Sequence, residues 1–216
     1  MTDRTENTNA TNCSRRLFSA GLFLAPFGGM LAGTAQAAAP GQAAPDFSAT
    51  DTSGKVHRLS DFKGRFVVLE WTNPGCPFVV KHYQGNMQAL QKESIAKGVV
   101  WLAINSTETA ASDYMSPVQL AGWMTDKKAA PTATLMDVSG QIGQLYAART
   151  TPHMYIINPQ GQLVYAGAID SIPSARVADI KTATNYVRQS LTEAMAGQPV
   201  STAISRAYGC SIKYAA

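Results

Sequence analysis

The chain has 216 residues, 45% hydrophobic and 15% charged, enough to bury one sizeable core without requiring a second domain. Its 18 Lys and Arg against 14 Asp and Glu give a net charge of +4, and the absence of any run of like charges excludes the basic footprint of a nucleic-acid binder. Three cysteines are too few for a small disulfide-stapled scaffold and read as individual chemical groups.

Residues 1–37 differ in composition from the rest. Ser14-Arg15-Arg16-Leu17-Phe18 leads into an uncharged apolar stretch ending at Gly33, and Ala35 and Ala37 follow in A-x-A spacing. That pattern predicts an export signal of twin-arginine type, cleaved after Ala37, and so a periplasmic or cell-exterior protein with no stable membrane insertion. Cys13 precedes the apolar stretch and would leave with the signal. Cys76 and Cys210 remain, a candidate disulfide pair in an oxidising compartment.

Residues 38–45, small and rich in breakers, read as a linker. The segment 46–59 alternates around Ser53-Gly54 and predicts a short hairpin. Residues 65–71 (RFVVLEW) and 99–105 (VVWLAIN) are continuous apolar runs, as strands buried on both faces would be. Between them, Phe78 to Lys97 reads as one helix ending at Gly98. Helices are predicted over 118–129 and 140–148. Strands are predicted over 133–137, 153–158 and 162–170, the last two joined by a tight turn at Asn158-Pro159-Gln160-Gly161. Residues 174–196 give the longest helical pattern, with Val177, Ile180, Ala183, Val187, Leu191 and Ala194 on one face. The element order implies an α/β fold, a mixed sheet flanked by helices, spanning 46–196 and followed by a tail, 197–216.

Cys76, in the stretch EWTNPGCPFVVKHY, lies just after a strand and just before a helix. A thiol there sees unpaired N–H groups and the positive end of the helix dipole, which favour the thiolate, the form that attacks. Pro77 suits the first helical turn. Lys81 and His82 are expected to add positive potential. The alternative is a buried, inert cysteine.

The stretch VVLEWTNPGCPFVVKHY resembles the active-site segment of the thioredoxin-like redoxins, the group that includes alkyl hydroperoxide reductase and thiol-specific antioxidant proteins. YAARTTPHMYIINPQG is similar to the segment in which such proteins place a cis-proline beside the thiol. The resemblance covers roughly residues 43–195 and implies a thioredoxin-like fold without an organic cofactor or metal. It implies that Pro152 is cis, with the Thr151 backbone open to strand-like pairing with a substrate. Thr151, Pro152, Pro77 and Trp71 are the substrate contacts it suggests. Two departures stand out. Val79 occupies the position of the second cysteine of Cys-x-x-Cys, and Leu69 and Asn73 stand where peroxiredoxins carry the Pro and Thr of Pro-x-x-x-Thr-x-x-Cys.

The only other thiol of the exported chain is Cys210, and the 13 residues after Gly197 span up to about 43 Å when extended, so reach is no obstacle. Tyr208, Ile212 and Tyr214 give the tail apolar groups for docking. Two readings of a 76–210 bond stay open: Cys210 resolves a species formed on Cys76, or the bond is a permanent staple worth at most ~5 kcal/mol. The function expected is a thiol–disulfide oxidoreductase acting on protein thiols or disulfides with a redox partner protein. The alternatives are a hydroperoxide-reducing antioxidant and a non-catalytic scaffold or metal carrier using Cys76, His82 and Cys210. Glu70 and Asp170 are candidate proton acceptors near the thiol, each more often a surface or capping carboxylate. His57 and His153 are the other histidines. Trp71, Trp101 and Trp123 are spaced as core residues.

Overall fold

In chain order the elements are β1 (Ser48–Asp51), β2 (Val56–Arg58), β3 (Val67–Trp71), α1 (Pro77–His82), α2 (Asn86–Ala96), β4 (Val100–Asn105) and α3 (Pro117–Asp126). There follow β5 (Ala133–Met136), α4 (Gln141–Leu145), β6 (Thr150–Thr151), β7 (His153–Ile157), β8 (Leu163–Gly167), α5 (Tyr186–Met195) and β9 (Cys210–Ser211). This computed structural model describes residues 38–215. The expected export signal, with Cys13, lies outside the described residues. Among those described, no helix is long and apolar enough to cross a membrane.

Seven strands form one sheet in the order β2-β1-β5-β4-β3-β7-β8. β3, β4 and β5 run parallel, and the other neighbours are antiparallel. Every residue of β3 and β4 is buried, as their unbroken apolar sequences imply. Side chains alternate between two cores. Leu69, Trp71, Leu102 and Ile104 pack on one face with Tyr146 and Tyr155; Val68, Trp101, Met154 and Ile156 pack on the other against Val79, Leu90, Leu120 and Leu191. This is the thioredoxin-like arrangement the resemblance implies.

Three expectations are corrected. The single helix over 78–97 is two: Gly85, at φ +116°, breaks it, and Gln88 fixes the break by accepting from the Gly85 N–H at 3.0 Å and donating to the Tyr83 carbonyl at 2.9 Å. The helix expected over 174–196 shortens to α5, capped by the Asn185 side chain, which accepts from the Arg188 N–H at 2.9 Å. Upstream is only a 3-10 turn, Val177–Lys181, with Val177 exposed. Part of the expected linker is instead held on the sheet: the Gly41 and Ala44 N–H groups donate to the Leu163 and Gly161 carbonyls, both at 2.8 Å. Further along the same strand, Ala166 donates to the Ala203 carbonyl at 3.0 Å and accepts from Ser205 at 3.1 Å. These segments cover backbone groups that an edge strand would leave open, and the second begins the tail's path back to the thiol.

Candidate active site

Cys76 is set by the loop that leaves β3. The Cys76 N–H donates to the Asn73 carbonyl at 3.0 Å and the Gly75 N–H to Asn73 Oδ1 at 2.7 Å. Asn73 Nδ2 in turn reaches Thr107 Oγ1 and Asp113 Oδ2, both at 3.0 Å. Asn73, at the position of the peroxide-orienting threonine, is therefore an anchor of the loop. Thr72 is buried beneath it. Cys76 itself is extended and caps α1, with Pro77 next and exposed. Its carbonyl accepts from Val79 and Val80 at 3.0 and 2.9 Å. The side chain is 1% exposed, and Sγ donates to the Thr151 carbonyl at 2.9 Å.

The Thr151–Pro152 bond is cis. The backbone beside it is not vacant: Thr151 stands opposite Cys210, and Thr150 opposite Ser211, in the antiparallel pair β6–β9. The tail therefore lies where a substrate strand was expected. Five residues fasten it. Tyr208 enters a pocket under α1. Gly209, at φ +140°, passes so close to Thr151 that a Cβ there would collide with the carbonyl oxygen. The Ile212 N–H donates to the Arg149 carbonyl at 3.0 Å. Lys213 Nζ pairs with Asp113 at 2.6 Å, and its carbonyl accepts from the Glu108 N–H at 2.9 Å. The Tyr214 hydroxyl donates to the Ala148 carbonyl at 2.7 Å while its ring lies on Gly140 and Gly143.

Both cysteines are free thiols, side by side. Burial opposes ionisation of Cys76. Hydrogen bonds from the Cys210 thiol, from Thr151 and from the Cys210 and Val79 N–H groups outweigh it and bring the Cys76 thiol below its ordinary range. The contact with the Thr151 carbonyl belongs to the neutral thiol and is given up on ionisation. Burial, the hydrogen bond to Cys76 and the charge that Cys76 acquires push Cys210 the other way, to about 12. One thiol is biased toward the thiolate and its neighbour is held protonated.

The two carboxylates prove to be buried rather than at the surface. Glu70 accepts from Tyr83 Oη and Trp101 Nε1, each at 2.7 Å, and from Gln91 Nε2 at 3.1 Å. Burial outweighs these bonds and lifts its carboxyl above the usual range. Asp170 receives Lys81 Nζ at 3.3 Å, the Tyr208 hydroxyl, and the Ile172 N–H at 3.1 Å. Among the described residues neither carboxylate is hydrogen-bonded to the thiol, so neither acts on it directly. Lys81 is 1% exposed and spends its charge on Asp170, and burial depresses His82 to about 4, leaving it neutral. The expected positive potential of this pair is thus neutralised. Trp71 is fully buried, edge-on to Tyr155 and donating to Ser106 Oγ at 3.0 Å, so it is a core residue and no substrate contact.

His57 pairs with Asp51 at 2.7 Å in the hairpin, and burial depresses His153 to about 4. Among the described residues no three His, Cys, Asp or Glu side chains cluster as metal ligands. Tyr208 docks the tail as its apolar character led one to expect, and Gly209 takes a positive φ beside the sulfur, whereas the Asn73–Asp113–Lys213 chain carries the site's geometry without having been singled out. The signal for the first two was the tail's own text, Tyr208-Gly209-Cys210, an aromatic and a flexible residue beside a thiol.

The sequence profile of the AhpC/TSA family matches residues 40–166. The thiol-disulfide oxidoreductase ResA of Bacillus thuringiensis is 29% identical over 128 residues, 57% of this chain and 66% of that protein. The ResA of Bacillus subtilis is 28% identical over 126 residues, 57% of this chain and 64% of its own. The chain thus spans just under two thirds of the length of these curated relatives. Among solved structures, an uncharacterized conserved protein from Geobacillus kaustophilus is 30% identical, with a TM-score of 0.69, covering 82% of this chain and 92% of that one. A hypothetical protein from Sinorhizobium meliloti shares the fold at 24% identity and a TM-score of 0.69, covering 84% and 97%.

Proposed function

Since the chain belongs to the AhpC/TSA family, we propose that it is an exported thiol–disulfide oxidoreductase in which Cys76 attacks and Cys210 resolves. The observation that carries this reading is the placement of Cys210 opposite Thr151 and against Cys76, with the two thiols biased in opposite directions. The name borne by the ResA relatives supports disulfide exchange, and the Arg15-Arg16 leader supports export.

The Cys76 thiolate attacks one sulfur of a substrate disulfide, forming a mixed disulfide and releasing the other sulfur as a thiolate that takes a proton from solvent. Bond formation removes the negative charge beside Cys210, and with it two of the causes that held that thiol protonated. Cys210 then loses its proton, attacks Cys76 Sγ and expels the substrate's second thiolate. Two protein thiols have become one 76–210 disulfide, and one substrate disulfide has become two thiols. The same two steps run backwards oxidise a substrate dithiol. Hydroperoxide reduction is less well served, because Asn73 is committed to the loop and Thr72 is buried beneath it.

Mass mapping of the purified protein tests this. A 76–210 linkage that opens in mild dithiol without unfolding, and re-forms with one equivalent of a disulfide substrate, is the expected result. A bond that resists reductant until the chain unfolds makes it a staple and overturns the reading.

A further inference from the structure

The tail does more than deliver Cys210. Two residues before the cysteine, Tyr208 reaches into a pocket built by α1, the helix that Cys76 caps, and by the segment after β8. Phe78 meets its ring edge-on at 5.8 Å between centroids, and Lys81 Nζ lies 5.7 Å from the ring centre. The tyrosine hydroxyl donates to Asp170, with His82 Nε2 at 3.3 Å. Phe78, Lys81 and His82 follow i, i+3, i+4 spacing and so present one face of the helix. Lys81, His82 and Asp170 are each at most 3% exposed. Such a set of buried polar groups rejects an occupant that leaves them unpaired. Between tyrosine and cysteine the strand passes over the Thr151 carbonyl, where a side chain at position 209 has no room.

We propose that the Phe78–Lys81–His82–Asp170 pocket is a tyrosine subsite shared by the tail and by substrate, selecting extended polypeptide segments in which Tyr-Gly precedes the reacting cysteine. The inference rests on the disulfide-exchange reading above and names its substrate class. The tail occupies the groove as an intramolecular copy of the substrate and gives way to a segment with the same three residues. A bound segment pairs with Thr151 as Cys210 does, placing its disulfide sulfur beside Cys76. The thiolate attacks that sulfur, and the outer sulfur departs as a thiolate. The tail then returns to Thr151 by exchanging one strand for another, so the movement that brings Cys210 to the mixed disulfide also expels the product.

The test uses the full-length protein with Cys13→Ser and Cys210→Ser, which leaves Cys76 as its one thiol, keeps a docked tail and stops the reaction at the mixed disulfide. The probe is the peptide Ala-Tyr-Gly-Cys-Ser-Ile-Lys, its cysteine bearing thionitrobenzoate, whose release reports attack by Cys76. Matched peptides carry alanine for the tyrosine or for the glycine, and cysteine bearing thionitrobenzoate alone measures intrinsic reactivity. The expected result is a rate for the parent peptide about tenfold or more above either alanine peptide, with Phe78→Ala narrowing the tyrosine preference. Equal rates for all three peptides after correction by the small probe overturn the subsite while leaving disulfide exchange intact. A Cys76 that releases thionitrobenzoate from no probe, although the unfolded chain does, overturns both readings.

Discussion

Gly209 lies directly on the carbonyl of Thr151, and the gap between them admits a hydrogen atom but no methyl group. This contact sets the height of the tail above the groove and so decides whether the Cys76 sulfur is sealed or open. Gly209→Ala should lift the tail. Alkylation of Cys76 by a small reagent then accelerates about tenfold or more, because local opening rather than ionisation limits access in the parent protein. The thermal midpoint falls only modestly, since Tyr208 and Cys210 pack at the margin of the second core and are only partly buried. Unchanged alkylation kinetics would show that the thiol is reached by another path.

The ionisation of Cys76 provides a second measurement. Its thiol is lowered by donors that include Cys210, so in the reduced protein the thiolate should appear, as ultraviolet absorbance, at a pH below the ~8.5 of a free cysteine. Replacing Cys210 with alanine removes a donor and should move that midpoint upward. In the parent protein the second thiol is expected to titrate near 12. A single unshifted transition for both sulfurs would contradict the assignment of roles.

Glu70 should prove structural. Tyr83, Trp101 and Gln91 converge on it, so Glu70→Leu strands three buried donors and is expected to cost about 3 kcal/mol or more in denaturant unfolding. Glu70→Gln, which retains an acceptor, should cost less. Equal destabilisation by the two would mean that volume rather than hydrogen bonding matters there.

The Lys81–Asp170 pair, at 3.3 Å and away from water, makes a prediction about charge. Lys81→Met leaves the carboxylate buried without its cation and is expected to cost about 3–5 kcal/mol. Adding Asp170→Asn should recover part of that loss by removing the orphaned charge. A double variant no more stable than the single one would place the cost in packing.

Acid stability depends on the buried histidines. His82 and His153 titrate at about 4 in the folded chain and near 6.5 when unfolded. Between those values the unfolded chain binds protons that the folded chain refuses, so stability falls as pH falls from about 6.5 to about 4. Glu70 and Asp137, whose carboxyls burial raises, oppose this trend. The contribution of His82 is therefore read as a difference: His82→Gln should flatten the fall by about one proton's worth. A slope unchanged by the substitution would show that His82 binds protons equally in the folded and unfolded chains, so that burial does not hold it neutral.

Local pattern carried far in this chain. The runs at 65–71 and 99–105 announced buried strands because each residue of β3 and β4 has a covered face to occupy. The helix expected over 118–129 forms as α3, begun one residue earlier at Pro117 behind the Ser116 cap. The pattern misled at Gly85, where one left-handed residue splits a helix that composition made continuous. It misled again at 174–185, where only a 3-10 turn forms against α1, Ile180 and Ala183 are half-buried and Val177 is left in solvent. The carboxylates Glu70 and Asp170 looked like surface groups because their partners, Trp101, Tyr83 and Tyr208, are distant in sequence.

The family resemblance implied that Thr151-Pro152 would stand near Cys76. The amino-acid order alone determined that a cysteine would cap a helix after a buried strand and that a second thiol waited in the tail. Those are consequences of neighbours along the chain. The tertiary structure decided where the tail goes and what it does to the sulfur. Strand pairing with Thr151 and seating of Tyr208 depend on groups more than a hundred residues apart for His82 and Tyr208, whose approach is fixed only when the sheet and α1 are already packed.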